Sequence, residues 1–206
     1  LLTPPAPAGF SAASDTSIYR VTASRLRSSL EEGERVVYLE GGVRIDHAAT
    51  TITSSRGKHY PVRRYIVLYD SVRVVDGAAV MLSDVGEYFG LTNTLVLAGR
   101  VRFADRGWKA RCDRAKYDRD RRVAVLTGNV SAEDSTRTMY ADTIVYDRDR
   151  EIADATGRVV IIDDVEDYSI AGKHARFDRI KKEAVVDVRP VLTFDLKSEE
   201  HGTITS

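Results

Sequence analysis

Apolar positions recur at every second residue along most of the chain. In Val43-Arg44-Ile45, Val72-Arg73-Val74 and Val101-Arg102-Phe103 an apolar pair takes one face and arginine the other. A spacing of two is the strand period, and the segments are rich in Val, Ile, Tyr and Thr. Helical spacing fails almost throughout. The exception is "ASRLRSSLEEGER", where Leu26 and Leu30 lie four apart, so this stretch admits either a short N-terminal helix or a degenerate first strand.

The alternation is itself repeated. Val43, Val72, Val101, Val130 and Val159 fall 29 residues apart, each two residues after Gly41, Asp70, Gly99, Gly128 and Gly157. Leu39, Leu68, Leu97 and Leu126 share a register, as do Val36, Tyr65, Thr94, Val123 and Ile152. A second half of the unit runs from a small residue to an aromatic and an aspartate: Cys112 to Tyr117-Asp118, Ala141 to Tyr146-Asp147, Gly172 to Phe177-Asp178. Ser55 to Tyr60 fits without the aspartate, and the third unit, around "GEYFGLTNT", lacks the spacing. In the last unit Val188-Arg189-Pro190 stands where Gly-x-Val stood before, and a proline there suits a terminal strand that can spare its amide.

Turn signals separate the strands: "DRDR" at 118–121 and 147–150, "ADRGWK" at 104–109 and "DGA" at 76–78. The glycine of Gly-x-Val sits inside a continuous strand pattern and predicts a bend or bulge. A single hairpin cannot bury its own apolar face, whereas stacked copies form one continuous interior. The prediction is an all-β protein, a twisted two-sheet antiparallel stack of repeated hairpins with about ten to twelve strands. It forms one domain over residues 18–194. Residues 1–17, rich in Pro, Ala and Ser, read as a disordered lead, and 195–206 as a polar tail.

Charge removes some functions from consideration. Among 206 residues, 31 basic side chains balance 31 acidic ones, so no long-range field favours nucleic acid. The single cysteine, Cys112, cannot close an intramolecular disulfide and occupies a small-residue column, which reads as an inert packed thiol. His47, His59, His174 and His201 are scattered without metal-ligand spacing, so no metal and no cofactor is expected. No GxSxG elbow or phosphate-binding glycine loop occurs. Asp113 with Asp118, Asp142 with Asp147, and Asp163 with Asp164 form carboxylate pairs of the kind glycosidases use. They recur at the repeat's own period beside turns, which reads as hairpin closure and not catalysis. Trp108 falls in a predicted loop, as an exposed contact or a cover for the hairpin end.

The Gly-x-Val, small-Asp-x-x-x-Tyr-Asp and A-x-x-x-G-x-V elements, clearest in "YADTIVYDRDREIADATGRVVI", resemble the OstA-like lipopolysaccharide-transport proteins. That family comprises a periplasmic bridge protein (LptA-like), its membrane-anchored partner and the N-terminal domain of the outer-membrane assembly protein. The resemblance covers residues 18–194, with Asp70 in place of a glycine and Lys173 in place of the aspartate as departures. It implies a β-jellyroll with an open hydrophobic groove, and hence a non-enzymatic carrier or bridge in lipopolysaccharide transport. The compartment would be the periplasm, with the chain free or tethered to the inner or outer membrane in a longer protein. The expected partners are lipopolysaccharide, lipid A or a similar amphiphile, and other OstA-like domains joined head to tail through sheet edges. Candidate groove-lining residues are Val43, Ile45, Val72, Val74, Val101, Phe103, Val130, Ile144, Tyr146, Val159 and Ile161. Their alternation is shared by a closed dry core. Two other readings stand: a structural β-repeat protein assembling through its edges without a ligand, and a carbohydrate-active enzyme.

Overall fold

The computed structural model describes residues 19–194; the lead over 1–17 and the tail over 195–206 lie outside the described residues. Fourteen strands follow one another: β1 (Arg20–Thr22), β2 (Arg25–Glu31), β3 (Glu34–His47), β4 (Thr50–Tyr60), β5 (Tyr65–Asp76), β6 (Ala79–Phe89), β7 (Thr94–Asp105), β8 (Trp108–Asp118), β9 (Val123–Glu133), β10 (Arg137–Asp147), β11 (Ile152–Asp163), β12 (Tyr168–Asp178), β13 (Glu183–Asp187) and β14 (Val191–Phe194). No helix occurs among the described residues. The stretch that admitted a helix is strand β2, paired along its length with β3 from Arg25↔Glu40 to Glu31↔Glu34. Pairing with β3 overrides the local Leu26/Leu30 spacing, and both leucines remain exposed.

Hydrogen bonding joins each strand from β3 to β12 to its sequence neighbour in one antiparallel sheet, with β1 and β2 both on β3 and β13 and β14 both on β12. Each long strand is broken once in its ladder, for example between Tyr69 and Val72 on β5 and between Ala98 and Val101 on β7. At each break the odd-numbered strand carries one residue more than its neighbour and takes a left-handed conformation. Gly41-Gly42, Asp70-Ser71, Gly99-Arg100, Gly128-Asn129 and Val188-Arg189 all have positive φ as consecutive pairs, and Gly157 has φ 103°. A bulge of this kind bends the strand sharply. Since the breaks line up at the 29-residue period, the whole sheet bends along one line.

The bend divides the sheet into two leaves. The first leaf runs from the bend to the turns at 32–33, 61–64, 90–93, 119–122, 148–151 and 179–182, and includes β2 and β13. The second runs to the turns at 48–49, 77–78, 106–107, 134–136 and 164–167, and includes β1 and β14. The split terminal pairs are thus one strand each, interrupted at the bend, giving twelve bent strands, within the ten to twelve expected from the pattern. The leaves face each other across an apolar interior. Phe103 of the second leaf meets Tyr146 of the first edge to face at 5.9 Å between ring centroids. One hydrophobic cluster runs from Leu39 to Phe177 through both leaves. Burying each of its Val, Leu or Ile side chains contributes about 1.5–3 kcal/mol, an upper figure for a chain already partly collapsed when unfolded.

Candidate functional site

Two seams control this interior, the bend and the opposite edge where the turns of the two leaves meet. At the bend, the neighbouring even-numbered strand supplies a small residue followed by a polar one. A Cβ added to Gly99, Gly128 or Gly157 would lie 2.6, 2.5 and 2.3 Å from Oδ2 of Asp84, Asp113 and Asp142. Glycine is therefore required twice over, by its left-handed backbone and by the carboxylate packed on its face. Asp84 pairs with Arg100 at 2.6 Å and Asp142 with Arg158 at 2.8 Å, while Asp113 accepts from Asn129 Nδ2 at 2.9 Å. Hydrogen bonds from these arginines, stronger than the modest cost of burial, hold the Asp84 and Asp142 carboxyls below the usual aspartate value. Where Asp70 replaces the glycine the pair is inverted: Arg56 on β4 reaches Asp70 on β5 at 2.6 Å.

Three assignments from the sequence shift here. The third unit does carry the small-Asp spacing, as Ser83-Asp84 followed by Tyr88, upstream of the stretch in which it was sought. In the first unit the small residue in register is Ser54, not Ser55, and His59 takes the aromatic position. Ser54, Ser83 and Cys112 each bond the main-chain carbonyl two residues on, at 3.1, 2.9 and 3.1 Å, so the cysteine serves as a packed donor. Burial raises its thiol to about 11. Finally, Asp113 and Asp142 belong to the bend and not to turns. Asp118, Asp147 and Asp178 close first-leaf hairpins, as with Asp147 Oδ1 accepting from the amides of Asp149 and Arg150 at 3.1 and 3.0 Å, and Asp163 does the same for Val165 and Glu166 in the second leaf. Five strand residues separate Asp142 from Asp147, about 16 Å at the strand rise. That exceeds the span of about 5–9.5 Å that glycoside hydrolysis needs.

The opposite edge, the mouth, is closed by arginines at one register of the first-leaf turns. Arg119 donates to Thr50 Oγ1 (3.0 Å), to His47 Nδ1 (2.8 Å) and to the His47 carbonyl (2.8 Å). Arg148 donates to Asp105 Oδ2 (3.0 Å), Asp76 Oδ2 (2.9 Å), the Asp76 carbonyl (3.1 Å) and the Tyr117 hydroxyl. Arg179 donates to the Arg106 carbonyl (2.9 Å), to Tyr146 (3.0 Å) and to Glu151 (3.3 Å). Arg148 is 1% exposed, and Asp105 Oδ1 is buried without a hydrogen-bond partner among the described residues, so that carboxylate depends on Arg148 for its neutralisation. Burial alone would raise the Asp76 carboxyl. Hydrogen bonds from Tyr117 and Thr50 and the charge of Arg148 outweigh it and hold the group below its usual value.

Between the seams lies the interior. All eleven candidate lining residues are there, between 0 and 2% exposed, with the outward Arg44, Arg73 and Arg102 on the opposite face. Trp108, expected in a loop, is the first residue of β8. It is buried and stacked on Tyr146 at 4.5 Å. Its alternation with Ala110 and Cys112 at a spacing of two was the signal that could have placed it inside. Near these rings a void of about 20 Å³ remains beside Met139, Ile161 and Phe177, room for about one water. Along most of its length the interior is filled by its own side chains. It is uncovered at the C-terminal end, where Ile170 and its cross-strand partner Leu192 face the same interior column yet are only half-buried and exposed, respectively. Among the described residues no cluster of His, Cys, Asp or Glu is placed to hold a metal ion.

Fold and site together define an antiparallel repeat jellyroll, bent along one line, latched along the other and apolar between. The sequence model of the LptA/(LptD N-terminal domain) LPS transport proteins matches residues 20–152, and the chain belongs to that family. The fold is similar to the crystal structure of LptH, the LptA homologous periplasmic component of the conserved lipopolysaccharide transport device from Pseudomonas aeruginosa. The TM-score is 0.54 at 14% identity, over 57% of this chain and 95% of that one. No curated protein matches the sequence.

Proposed function

We propose that the chain is a non-enzymatic carrier or bridge segment of lipopolysaccharide transport, acting in the periplasm, that holds acyl chains between its two leaves. The observation that carries this reading is the single apolar interior. It crosses twelve bent strands, about 50 Å at the usual strand spacing, without a polar interruption between the seams. The closed packing means that cargo enters by parting the leaves. The mouth is suited to that, because it is held by hydrogen bonds and ion pairs and not by strand pairing. Each buried methylene contributes about 0.8 kcal/mol, so an acyl chain of about a dozen carbons gains roughly 10 kcal/mol, more than a single arginine latch opposes. The eleven interior residues are the proposed lining, and residues 18–194 the proposed functional unit.

Both ends of the sheet support joining to similar domains. Strands β1–β2 and β13–β14 have unpaired edges, and the C-terminal edge exposes Val185, Val191, Leu192 and Phe194. Such an edge is a template for another strand. Native mass spectrometry of the purified protein mixed with lipopolysaccharide tests the carrier reading. Retention of one amphiphile, displaced by lipid A but not by the acyl-free saccharide, is expected. Retention of none, or equal displacement by the saccharide, contradicts it.

A further inference from the structure

On the outer face of the second leaf, away from the apolar interior, lies a depression of about 430 Å³. Its floor is the main chain of β7 to β9 with the small side chains of Ala104 and Ser131, and Leu82 and Tyr140 stand at its two ends. Register lines these residues up across the sheet: Leu82↔Arg102, Arg102↔Arg111, Arg111↔Ser131 and Ser131↔Tyr140. Arg102 and Arg111 are therefore directly opposite each other on one exposed face, an arrangement of like charges that destabilises a sheet.

Many surface arginines stand with a carboxylate, as in Arg44–Asp46 at 2.7 Å, Arg100–Asp84 at 2.6 Å and Arg158–Asp142 at 2.8 Å. Arg73 has no ion pair among the described residues, but its cross-strand neighbours are Thr53 and Leu82 and not a second arginine. Arg102, Arg111 and the nearby Lys109 have no ion pair among the described residues. The one carboxylate lining the depression, Glu133, lies opposite Lys109 in register without bonding it. In a chain whose charges balance, two facing unpaired guanidinium groups mark a place where an anion belongs.

We propose that this depression binds a phosphorylated sugar, with the phosphate bridging Arg102 and Arg111 and the sugar lying against Tyr140 and Leu82. Two guanidinium forks match the oxygens of one phosphate. The volume falls in the range of small-ligand sites, about 300–1,000 Å³, and exceeds what a bare phosphate fills, which leaves room for a group attached to the phosphate. The exposed tyrosine ring offers an apolar face with a polar tip for a ring of hydroxyls. An acidic peptide fits less well, because β7, β8 and β9 are paired on both sides and offer no free main-chain edge to an added strand.

The site is distinct from the proposed acyl-chain space, and a ligand without acyl chains separates the two. Titration calorimetry of the full chain with N-acetylglucosamine 1-phosphate, N-acetylglucosamine and inorganic phosphate, repeated with R102T/R111T, tests it. The sugar phosphate is expected to bind more tightly than phosphate or sugar alone, and the double variant to lose at least about tenfold in affinity. Threonine already stands in the same row at Thr53, so the variant should fold, and its melting temperature in phosphate-free buffer should equal or exceed the parent's. Phosphatidylcholine vesicles doped with lipid A distinguish a lipid-borne source: arginine-dependent binding there, without binding of the soluble ligand, assigns the phosphate to a lipid headgroup. Binding unchanged in R102T/R111T, no binding in either form, or binding of polyglutamate in place of the sugar phosphate overturns the proposal.

Discussion

The bend and the mouth are built from the same two residue types, arginine and aspartate, and use them differently. At the bend Arg100–Asp84 and Arg158–Asp142 are exposed, with arginine side chains 84% accessible, and the geometry is fixed beneath them by left-handed backbone and glycine. At the mouth no strand ladder joins the two leaves among the described residues, and closure rests on side chains such as Arg148, buried between Asp76 and Asp105. Solvent screens the first kind of pair and leaves it worth about 0–1 kcal/mol. Removing one partner of the second kind strands a buried charge, at a cost of about 3–5 kcal/mol. The bend is a permanent crease, whereas the mouth is a fastening that can be undone.

The sharpest way to break this contrast is to remove the same side chain from each seam. Replacing Arg148 by Met should destabilise the fold by about 3–5 kcal/mol in urea titrations, because buried Asp105 loses the guanidinium that hydrogen-bonds it. A loss below about 1 kcal/mol would show that the mouth is not held as described. At the bend the backbone carries the load, so Gly157→Ala should cost about 1–2 kcal/mol from the left-handed conformation. The further clash with Asp142 includes its Cβ at 2.6 Å, so it should be relieved in D142G/G157A measured against D142G, while the backbone cost remains.

Acid should act on the mouth next. The Asp76 carboxyl titrates lower in the folded than in the unfolded chain, so the stability it contributes is present above the ordinary aspartate value near 4. That stability is lost as pH falls through the depressed folded value, and pH-dependent denaturation midpoints should flatten in D76N. Smallest of all, Arg158→Ala should change stability by less than about 1 kcal/mol. Cys112→Ser should stay within about 0.5 kcal/mol, since Ser54 and Ser83 already make the same bond in the same column.

The bend was largely legible in the sequence, and the mouth was not. A glycine interrupting a strand pattern every 29 residues signals a crease, and the valines and leucines in register with it fall in the core as their alternation requires. Its partners are less regular, because Asp84 lies upstream of "GEYFGLTNT" and Asp70 inverts the pair with Arg56. The latches escaped for a geometric reason. Arg119 reaches His47 and Arg148 reaches Asp76 across 72 residues, two and a half periods, because the twisted leaves cross. A repeat aligns equivalent residues and says nothing of which unequal residues meet across the interior, so the arginines of "DRDR" read as solvated turn residues although Arg148 is fully buried. Trp108 reads as a loop residue for a different reason, because the turn signal of "ADRGWK" outweighs its alternation with Ala110 and Cys112.

Photo-crosslinking from paired inward and outward positions tests most directly whether cargo lies between the leaves. A photoreactive residue at Ile161, which faces the interior, and another at its outward neighbour Val160 occupy adjacent positions on β11. With lipopolysaccharide present and the folded state verified, strong lipid adducts at 161 and weak ones at 160 are predicted. Equal adducts at both, or adducts at 160 alone, would contradict it.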